Sequence, residues 1–301
     1  MFKDLSSTGQ PGAAGNVADP STVAILLGRA CSAGIARLDA EVLLAWLMRV
    51  DRSRLLAFPE QAVSPLTAML FDAGLQRRAA GEPLAYITGV REFWSLPLVA
   101  TPEVLVPRPE TEFLVERCLA VLDTGPHRVA DLGTGSGAIA LALARECPAW
   151  QIVATDASAT ALEVAAINRD RLGAANVQLR CGSWCQPLGE EHFDAIISNP
   201  PYAAADDPAL DSLQFEPRSA LVAGDDGFAD LVQIARQARH HLQSGGLLLL
   251  EHGRTQAARL ASALVAGGYD RVACHRDLAG HDRVTEAYWP HAPGQVCYPD
   301  I

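Results

Sequence analysis

The sequence predicts an α/β protein: a doubly wound, mostly parallel, seven-stranded sheet, preceded by a small N-terminal helical domain and a β-hairpin linker. Three observations carry this reading. From residue 128 onward, short apolar stretches alternate with amphipathic stretches of helical length, the pattern of a parallel sheet covered on both faces. From 21 to 81 the periodicity is helical only. Between these regions, 89–109 holds prolines at 97, 102, 107 and 109, which break any helix.

The elements follow in order. Ser21 is placed to cap a first helix through Val23, Ile25, Leu26 and Leu27. A second helix, 39–50, has apolar residues at 42, 43, 44, 46, 47 and 50 and reads as mostly buried. A third, 64–80, has Ser64 at its cap and Pro65 in its first turn, and stops at Gly81. The helical domain is thus 21–88 and the linker 89–109, where 92–99 alternates roughly as a strand. Helical periodicity resumes over 110–122. Strands are expected at 128–132, 151–155, 177–180, 193–198 and 247–252, with helices at 137–146, 159–172 and 229–241. A last helix, 257–266, precedes two strands close in sequence, 271–276 and 283–288, which fit an antiparallel hairpin at one sheet edge. The main domain is 110–289. Residues 1–20, rich in Gly, Ser, Ala and Pro, and 290–301 read as tails.

Composition narrows the function classes. The chain has 301 residues, 49% hydrophobic and 20% charged, enough to bury sizeable cores. No apolar run approaches the ~20 residues that span a bilayer, and the N-terminus lacks a signal peptide's apolar centre. A cytoplasmic protein without a membrane partner is expected. The seven cysteines form no C-x-x-C pair, so neither a disulfide framework nor a metal site is expected. The net charge is −11, and the acidic excess lies beyond residue 90. That balance argues against a protein that grips a nucleic-acid backbone.

The Asp-Leu-Gly-Thr-Gly-Ser-Gly stretch at 131–137 lies where a strand gives way to a helix. Gly133, Gly135 and Gly137 allow a tight turn and close backbone approach to a ligand, with Thr134 and Ser136 between them. Gly133, Gly135 and Ala138 also satisfy G-x-G-x-x-G/A, and Asp156 ends the next strand, where a ribose-binding acid belongs. The glycines alone therefore do not separate a nicotinamide dinucleotide from S-adenosylmethionine. Asp131 favours the latter: it would repel a pyrophosphate but balance the cationic amino-acid end of a sulfonium cofactor. Direct contact by Asp131 and anchoring of the loop by Asp131 both remain open. Trp184, after the third strand, could pack on an adenine face or stand in the core.

Asn199-Pro200-Pro201-Tyr202 follows the apolar strand 193–198 at its carboxyl end, the edge where open α/β sheets bind ligands. The prolines remove two backbone donors and stiffen the loop. What remains is the Asn199 side-chain oxygen, the Pro200 carbonyl and the Tyr202 ring: two acceptors and a stacking face. These complement an NH2 group on a planar system, either an exocyclic amine of a base or a carboxamide. Accepting both N–H bonds would favour a more pyramidal, more nucleophilic nitrogen and stabilise charge growing on it. The tetrapeptide disfavours an NAD-dependent oxidoreductase or a non-catalytic module. It does not choose between a base and an amide. His252 is read as structural, and Arg108, Glu110 and Thr111 as neighbours of the cofactor entrance, with Arg108 bracing the linker.

Together these residues resemble the class I methyltransferases. Several stretches are more specific: Arg-Glu-Phe-Trp-Ser-Leu-Pro at 91–97, Leu-Val-Pro-Arg-Pro-Glu-Thr-Glu at 105–112, Phe-Glu-Pro at 215–217 and Leu-Leu-Glu-His-Gly at 249–253. With the glycine loop and the tetrapeptide, they resemble the peptide chain release factor glutamine methyltransferases over residues 21–288. The resemblance implies a Rossmann-like fold and methyl transfer from S-adenosylmethionine. The acceptor would be the side-chain amide nitrogen (N5) of the glutamine in the Gly-Gly-Gln loop of class 1 release factors, with the helical domain engaging that partner. It implies that residues 133–137, Asp156, Trp184 and Asn199 contact the cofactor and that Asn199, Pro200, Pro201 and Tyr202 hold the glutamine. One departure is Ser183, where the family usually has an acid. The alternative from the residues alone is a nucleic-acid methyltransferase acting on adenine N6 or guanine N2, with Tyr202 stacked on a flipped base.

Overall fold

The computed structural model describes residues 21–290, so the segments 1–20 and 291–301, expected as tails, lie outside the described residues. The chain divides into two compact units between Ala80 and Gly81.

The first unit holds α1 (Val23–Ser32), α2 (Arg37–Met48), α3 (Arg52–Ala57) and α4 (Pro65–Ala79) around buried Leu26, Leu43, Leu44, Leu55 and Phe71. The cap of α1 is Thr22, not Ser21: the Thr22 hydroxyl accepts from the Ile25 N–H at 3.4 Å. Ser64 caps α4 as expected, accepting from the Thr67 N–H at 3.1 Å, with Pro65 at the first helical position. Helix α2 starts and ends two residues earlier than expected, because Arg49 turns left-handed at φ 55°. Helix α3 was not predicted. Its six residues bury only Leu55, too little for a periodic signal. It is tied back by Glu41 of α2, which is 5% exposed and takes hydrogen bonds from Arg37 at 2.8 Å and Arg52 at 2.9 Å.

In the second unit, α5 (Leu84–Thr88) is followed by a hairpin, β1 (Val90–Phe93) and β2 (Leu96–Val99). Residues 81–88 were expected in the helical domain. They pack here instead: Ala85 and Tyr86 cluster with Ala100 and Val106, and the Tyr86 hydroxyl donates to the Val104 carbonyl at 2.6 Å. The hairpin turns on Trp94 and Ser95, both with positive φ, as a two-residue turn between twisted strands requires. Trp94 is held from both ends, its backbone N–H by Glu112 and its indole N–H by Glu146, each at 2.8 Å.

A 3-10 turn (Pro109–Thr111) leads into α6 (Glu112–Val121), and strands and helices then alternate. These are β3 (Arg128–Leu132), α7 (Ala138–Glu146), β4 (Gln151–Asp156), α8 (Ala159–Leu172), β5 (Val177–Cys181), β6 (Phe193–Ser198), α9 (Ala229–Ala238), β7 (Leu242–Glu251), α10 (Ala257–Ala266), β8 (Asp270–Arg276) and β9 (Asp282–Tyr288). Seven strands form one sheet in the order β5-β4-β3-β6-β7-β9-β8. The first five run parallel; β9 is antiparallel to both β7 and β8, closing the edge as a hairpin. One apolar layer, including Leu114, Leu141, Ile197 and Leu249, covers one face; another, including Leu132, Ile196, Leu231 and Leu248, covers the other. Alternate residues of the central strands feed opposite layers, so both faces are buried.

Strand β7 begins five residues before its predicted start, and α9 stops three residues before its predicted end. The polar and glycine residues at 243–246 hid this. They are absorbed where the β6–β7 register shifts, Phe193 facing Leu242 but Ala195 facing Leu247. The chain passes from β3 to β4 and β5 on one side, then returns to place β6 on the other side of β3. The strand order therefore reverses between β3 and β6, which marks their carboxyl ends as the ligand-binding edge.

Leu249 lies fully buried in β7 at the centre of the sheet. Leu249→Ala is expected to cost about 3 kcal/mol of stability, read as a lowered urea midpoint at unchanged slope.

Candidate active site

Two loops leave adjacent strands at the reversal. Leu132 of β3 pairs with Ser198 of β6, and the Ser198 hydroxyl donates to the Leu132 carbonyl at 2.7 Å. The next residues are Gly133 on one side and Asn199 on the other.

The glycine loop is bound from within. Gly133 and Thr134 N–H both donate to the Thr155 carbonyl, at 2.8 and 2.9 Å. Gly135 N–H donates to Asp156 Oδ2 at 2.9 Å, and Gly137 N–H to the Thr134 carbonyl at 2.9 Å. Four amides of the loop are thus already engaged within the protein. Gly133 stands at φ +72°, and a Cβ there would meet the Trp184 ring at 3.0 Å. Gly137, at φ +86°, caps α7, and a Cβ there would meet Leu141 at 2.9 Å.

Asp131 is fully buried beneath this loop. Its Oδ2 accepts from the Thr134 hydroxyl at 2.6 Å and the Ala140 N–H at 3.2 Å, while Oδ1 has no partner. Burial pushes its pKa up to about 7, against the pull of those two donors. Of the two roles left open by the sequence, anchoring the loop is the one its contacts serve. The Ser136 carbonyl is held at 2.9 Å by Asn168, whose side-chain oxygen and NH2 also bond the Val99 N–H and carbonyl of the hairpin.

A cavity of about 300 Å³ opens in front of the loop, lined by Gly133, Gly135, Asp156, Trp184, Asn199 and Pro201. Asp131, Thr134, Ser136 and Gly137 stand behind it and shape it. Each Asp156 oxygen takes one backbone N–H, Oδ1 from Ser158 at 2.8 Å and Oδ2 from Gly135, leaving lone pairs for two ribose hydroxyls. Trp184 reaches the cavity through a left-handed backbone, φ 47°. Ser183 lines the same wall, and so does Asp230, in the first turn of α9, which sequence reasoning did not single out.

A second cavity, of about 630 Å³, lies on the other side of the tetrapeptide. Pro200, Tyr202, Arg108, Glu251, Arg254 and Arg283 are among its walls. Asn199 and Pro201 belong to both cavities. The Asn199 NH2 donates to the Thr111 hydroxyl oxygen at 3.0 Å. Its carbonyl oxygen is therefore the end left for a ligand. Gln256 staples the loop from below, its NH2 donating to the Tyr202 carbonyl at 3.1 Å and the Gly227 carbonyl at 2.8 Å. Burial pushes the Tyr202 phenol up to about 12.

Arg108 does brace the linker, through a 2.5 Å ion pair with Glu216, whose other oxygen accepts the Val106 N–H at 3.0 Å. His252 is fully buried. Its ring nitrogens lie 2.9 Å from the Gly253 carbonyl and the Thr285 hydroxyl, contacts of a structural residue, and burial lowers its pKa. Thr111 was read as a neighbour of the cofactor entrance, within the 105–112 stretch, but not as the partner of Asn199; Gln256 was not singled out. They arrive from distant segments.

Residues 28–89 match the PrmC N-terminal domain and 109–215 the methyltransferase small domain. The release factor glutamine methyltransferase of Escherichia coli (strain K12) is 46% identical over 251 residues, covering 83% of this chain and 91% of that protein. That of Xylella fastidiosa is 45% identical over 274 residues, covering 90% and 99%. The chain belongs to the release factor glutamine methyltransferase family. Among solved structures, a methyltransferase from Pyrococcus furiosus superposes with TM-score 0.52 at 20% identity, over 73% of this chain and 98% of that one. The Thermus thermophilus 16S rRNA N2 G1207 methyltransferase, solved with AdoMet and guanosine, gives 0.50 at 19%, over 66% and 49%. These two share the fold.

S-adenosylmethionine is the family's cofactor, and the first cavity suits it. Four of the loop amides are already engaged, two carboxyls, which would repel a pyrophosphate, lie at and behind the loop, and Asp156 keeps acceptor capacity for a ribose.

Gly227, at φ +67°, packs against the exit of the tetrapeptide: a Cβ there would lie 2.3 Å from the Tyr202 carbonyl oxygen. Gly227→Ala should displace that loop and reduce methyl transfer about 100-fold while cofactor affinity, measured by calorimetry, is little changed.

Proposed function

We propose that this protein transfers a methyl group from S-adenosylmethionine to the side-chain amide nitrogen, N5, of the glutamine in the Gly-Gly-Gln loop of class 1 release factors. The observation that carries the reading is the position of Asn199 and Pro201 in the walls of both cavities. A group held by the tetrapeptide from one side faces the cofactor cavity on the other.

The bound cofactor supplies a sulfonium methyl group open to in-line displacement. The protein's part is to present the nitrogen. An amide nitrogen is a weak nucleophile because its lone pair is delocalised. Asn199 Oδ1 and the Pro200 carbonyl accept its two N–H bonds, and the stiff diproline loop fixes the pair. Both acceptors favour a pyramidal nitrogen and stabilise positive charge growing on it; as the N–CH3 bond forms the S–CH3 bond breaks to leave a neutral thioether, and the strongly acidic product cation loses one N–H proton to water. Tyr202 closes over the carboxamide plane. On the cofactor side, Gly133, Gly135, Asp156, Trp184 and Asn199 make contact, and Asp131, Thr134, Ser136 and Gly137 hold the loop in shape. The second cavity, about 630 Å³, exceeds a glutamine side chain and leaves room for the glycines beside it.

The acidic total of −11 supports a protein rather than a nucleic acid as partner. The helical unit supports a recognition role through exposed Trp46, Leu66, Met69 and Leu70. Among the described residues no helix is long and apolar enough to cross a membrane. We place the reaction in the cytoplasm, with the release factors.

Incubation with a purified class 1 release factor should add one methyl group to the Gly-Gly-Gln peptide, seen by mass spectrometry. Asn199→Ala should lower the rate about 100-fold or more. Methylation of DNA or rRNA with an unmodified release factor would overturn the reading.

A further inference from the structure

We infer that Leu105 is a specificity-determining residue: it gauges the passage between the two cavities, so that a methyl group reaches the acceptor nitrogen and a larger alkyl group does not. The inference rests on the proposed reaction and adds what sets the size of the group transferred.

Among the described residues, Leu105, Asn199, Pro201 and Ala220 border both the cofactor cavity and the acceptor cavity. They come from three segments: the stretch before Pro107, the tetrapeptide and the 3-10 turn Arg218–Ala220. A group passing from sulfur to nitrogen crosses where the cavities share walls, so these four residues set the width of the crossing. Asn199 is tied to Thr111, Pro201 belongs to the stiff diproline, and Ala220 carries only a methyl group. Leu105 has the largest apolar side chain of the four. It has no polar side-chain atom with which to hold the substrate, so its contribution is shape.

A gauge discriminates only if it does not yield, and the backbone around Leu105 is clamped. Leu105 is half-buried between buried Val104 and Val106. The Val104 carbonyl accepts from the Tyr86 hydroxyl at 2.6 Å, the Val106 N–H donates to Glu216 Oε2 at 3.0 Å, and the Pro107 carbonyl accepts from Arg91 Nε at 3.2 Å. The other Glu216 oxygen pairs with Arg108 at 2.5 Å. Glu216 precedes Ala220 in the same segment, where the Ala220 N–H donates to the Pro217 carbonyl at 2.9 Å. One buried carboxylate thus joins the Leu105 side of the passage to the segment that carries Ala220. Widening the passage would break charge-assisted hydrogen bonds, which are the strong ones.

Transfer of an allyl group keeps the balance of methyl transfer: the N–C bond forms as the S–C bond breaks, a neutral thioether leaves, and one N–H proton goes to water. An allyl group is at least as reactive toward displacement as methyl, so its exclusion reports room rather than reactivity.

The test uses the full chain with S-adenosylmethionine and its S-allyl analogue. Calorimetry gives the affinity for each without an acceptor, and mass spectrometry of the Gly-Gly-Gln peptide gives transfer to a purified class 1 release factor. One extra methylene against a packed wall is worth about 10–200-fold in discrimination. The wild type should therefore bind and transfer the allyl form at least about 10-fold less well than the methyl form. Leu105→Ala should close both gaps while affinity for S-adenosylmethionine is little changed. Leu105→Met, which conserves volume, should keep the wild-type preference. A wild type that treats the two cofactors alike, or a Leu105→Ala protein with the wild-type preference, would overturn the inference. Should Leu105→Ala melt too low for assay, the smaller trim Leu105→Val decides by the same two ratios. A wild-type protein that binds S-adenosylmethionine but leaves release factors unmethylated would overturn the substrate reading instead, and the calorimetric gap would still decide the gauge.

Discussion

Where β3 and β6 lie side by side, the last ladder rung joins Leu132 to Ser198, and the Ser198 hydroxyl adds a bond to the Leu132 carbonyl. Parallel strands one rung apart release their chains about 5 Å from each other. The glycine loop and the tetrapeptide consequently start from neighbouring points of the most buried part of the sheet. Their separation is set by backbone hydrogen bonds rather than by flexible side chains, which suits two ligands that must meet atom to atom. The flanking strands extend the same logic: β4 delivers Asp156 on one side, and β7 delivers Glu251 on the other.

The electrostatics of the site are built from carboxyls held where water cannot reach them. Asp131 and Glu251 are both fully buried, and burial raises both to about 7. Asp131 lies behind the glycine loop, and Glu251 lines the acceptor cavity while only 1% exposed. Asp131 organises the Thr134 hydroxyl and the Ala140 N–H around itself, while Glu251 keeps one carboxyl oxygen without a partner. Desolvation makes such arrangements costly to disturb, because a partly satisfied buried carboxylate loses more than one hydrogen bond.

The sheet, both covering layers and the edge hairpin were legible because each buried strand is a run of apolar residues bounded by a turn. The loops at 131–137 and 199–202 were legible because their chemistry is contiguous in sequence. What the sequence hid was of two kinds. Arg52–Ala57 buries only Leu55, and Leu84–Thr88, though mostly buried, is five residues long, so neither is long enough to leave a periodic trace. The residues that hold the site were hidden by distance: Thr111 reaches Asn199 across 88 positions, and Gln256 reaches Tyr202 across 54. Ser21 failed as a cap for a different reason, since Thr22, one residue nearer the helix, offers the same oxygen.

Asn168, 1% exposed in α8, spends one carboxamide on two structures at once: both polar groups of Val99 in the hairpin, and the Ser136 carbonyl in the glycine loop. The hairpin is therefore not a passive spacer. Local opening of β2 at Val99 strips the glycine loop of its rear support in the same event, so the two segments form one cooperative unit in the native-state fluctuations of the protein. A stretch of sequence that touches neither ligand is in this way thermodynamically wired to the shape of the cofactor cradle.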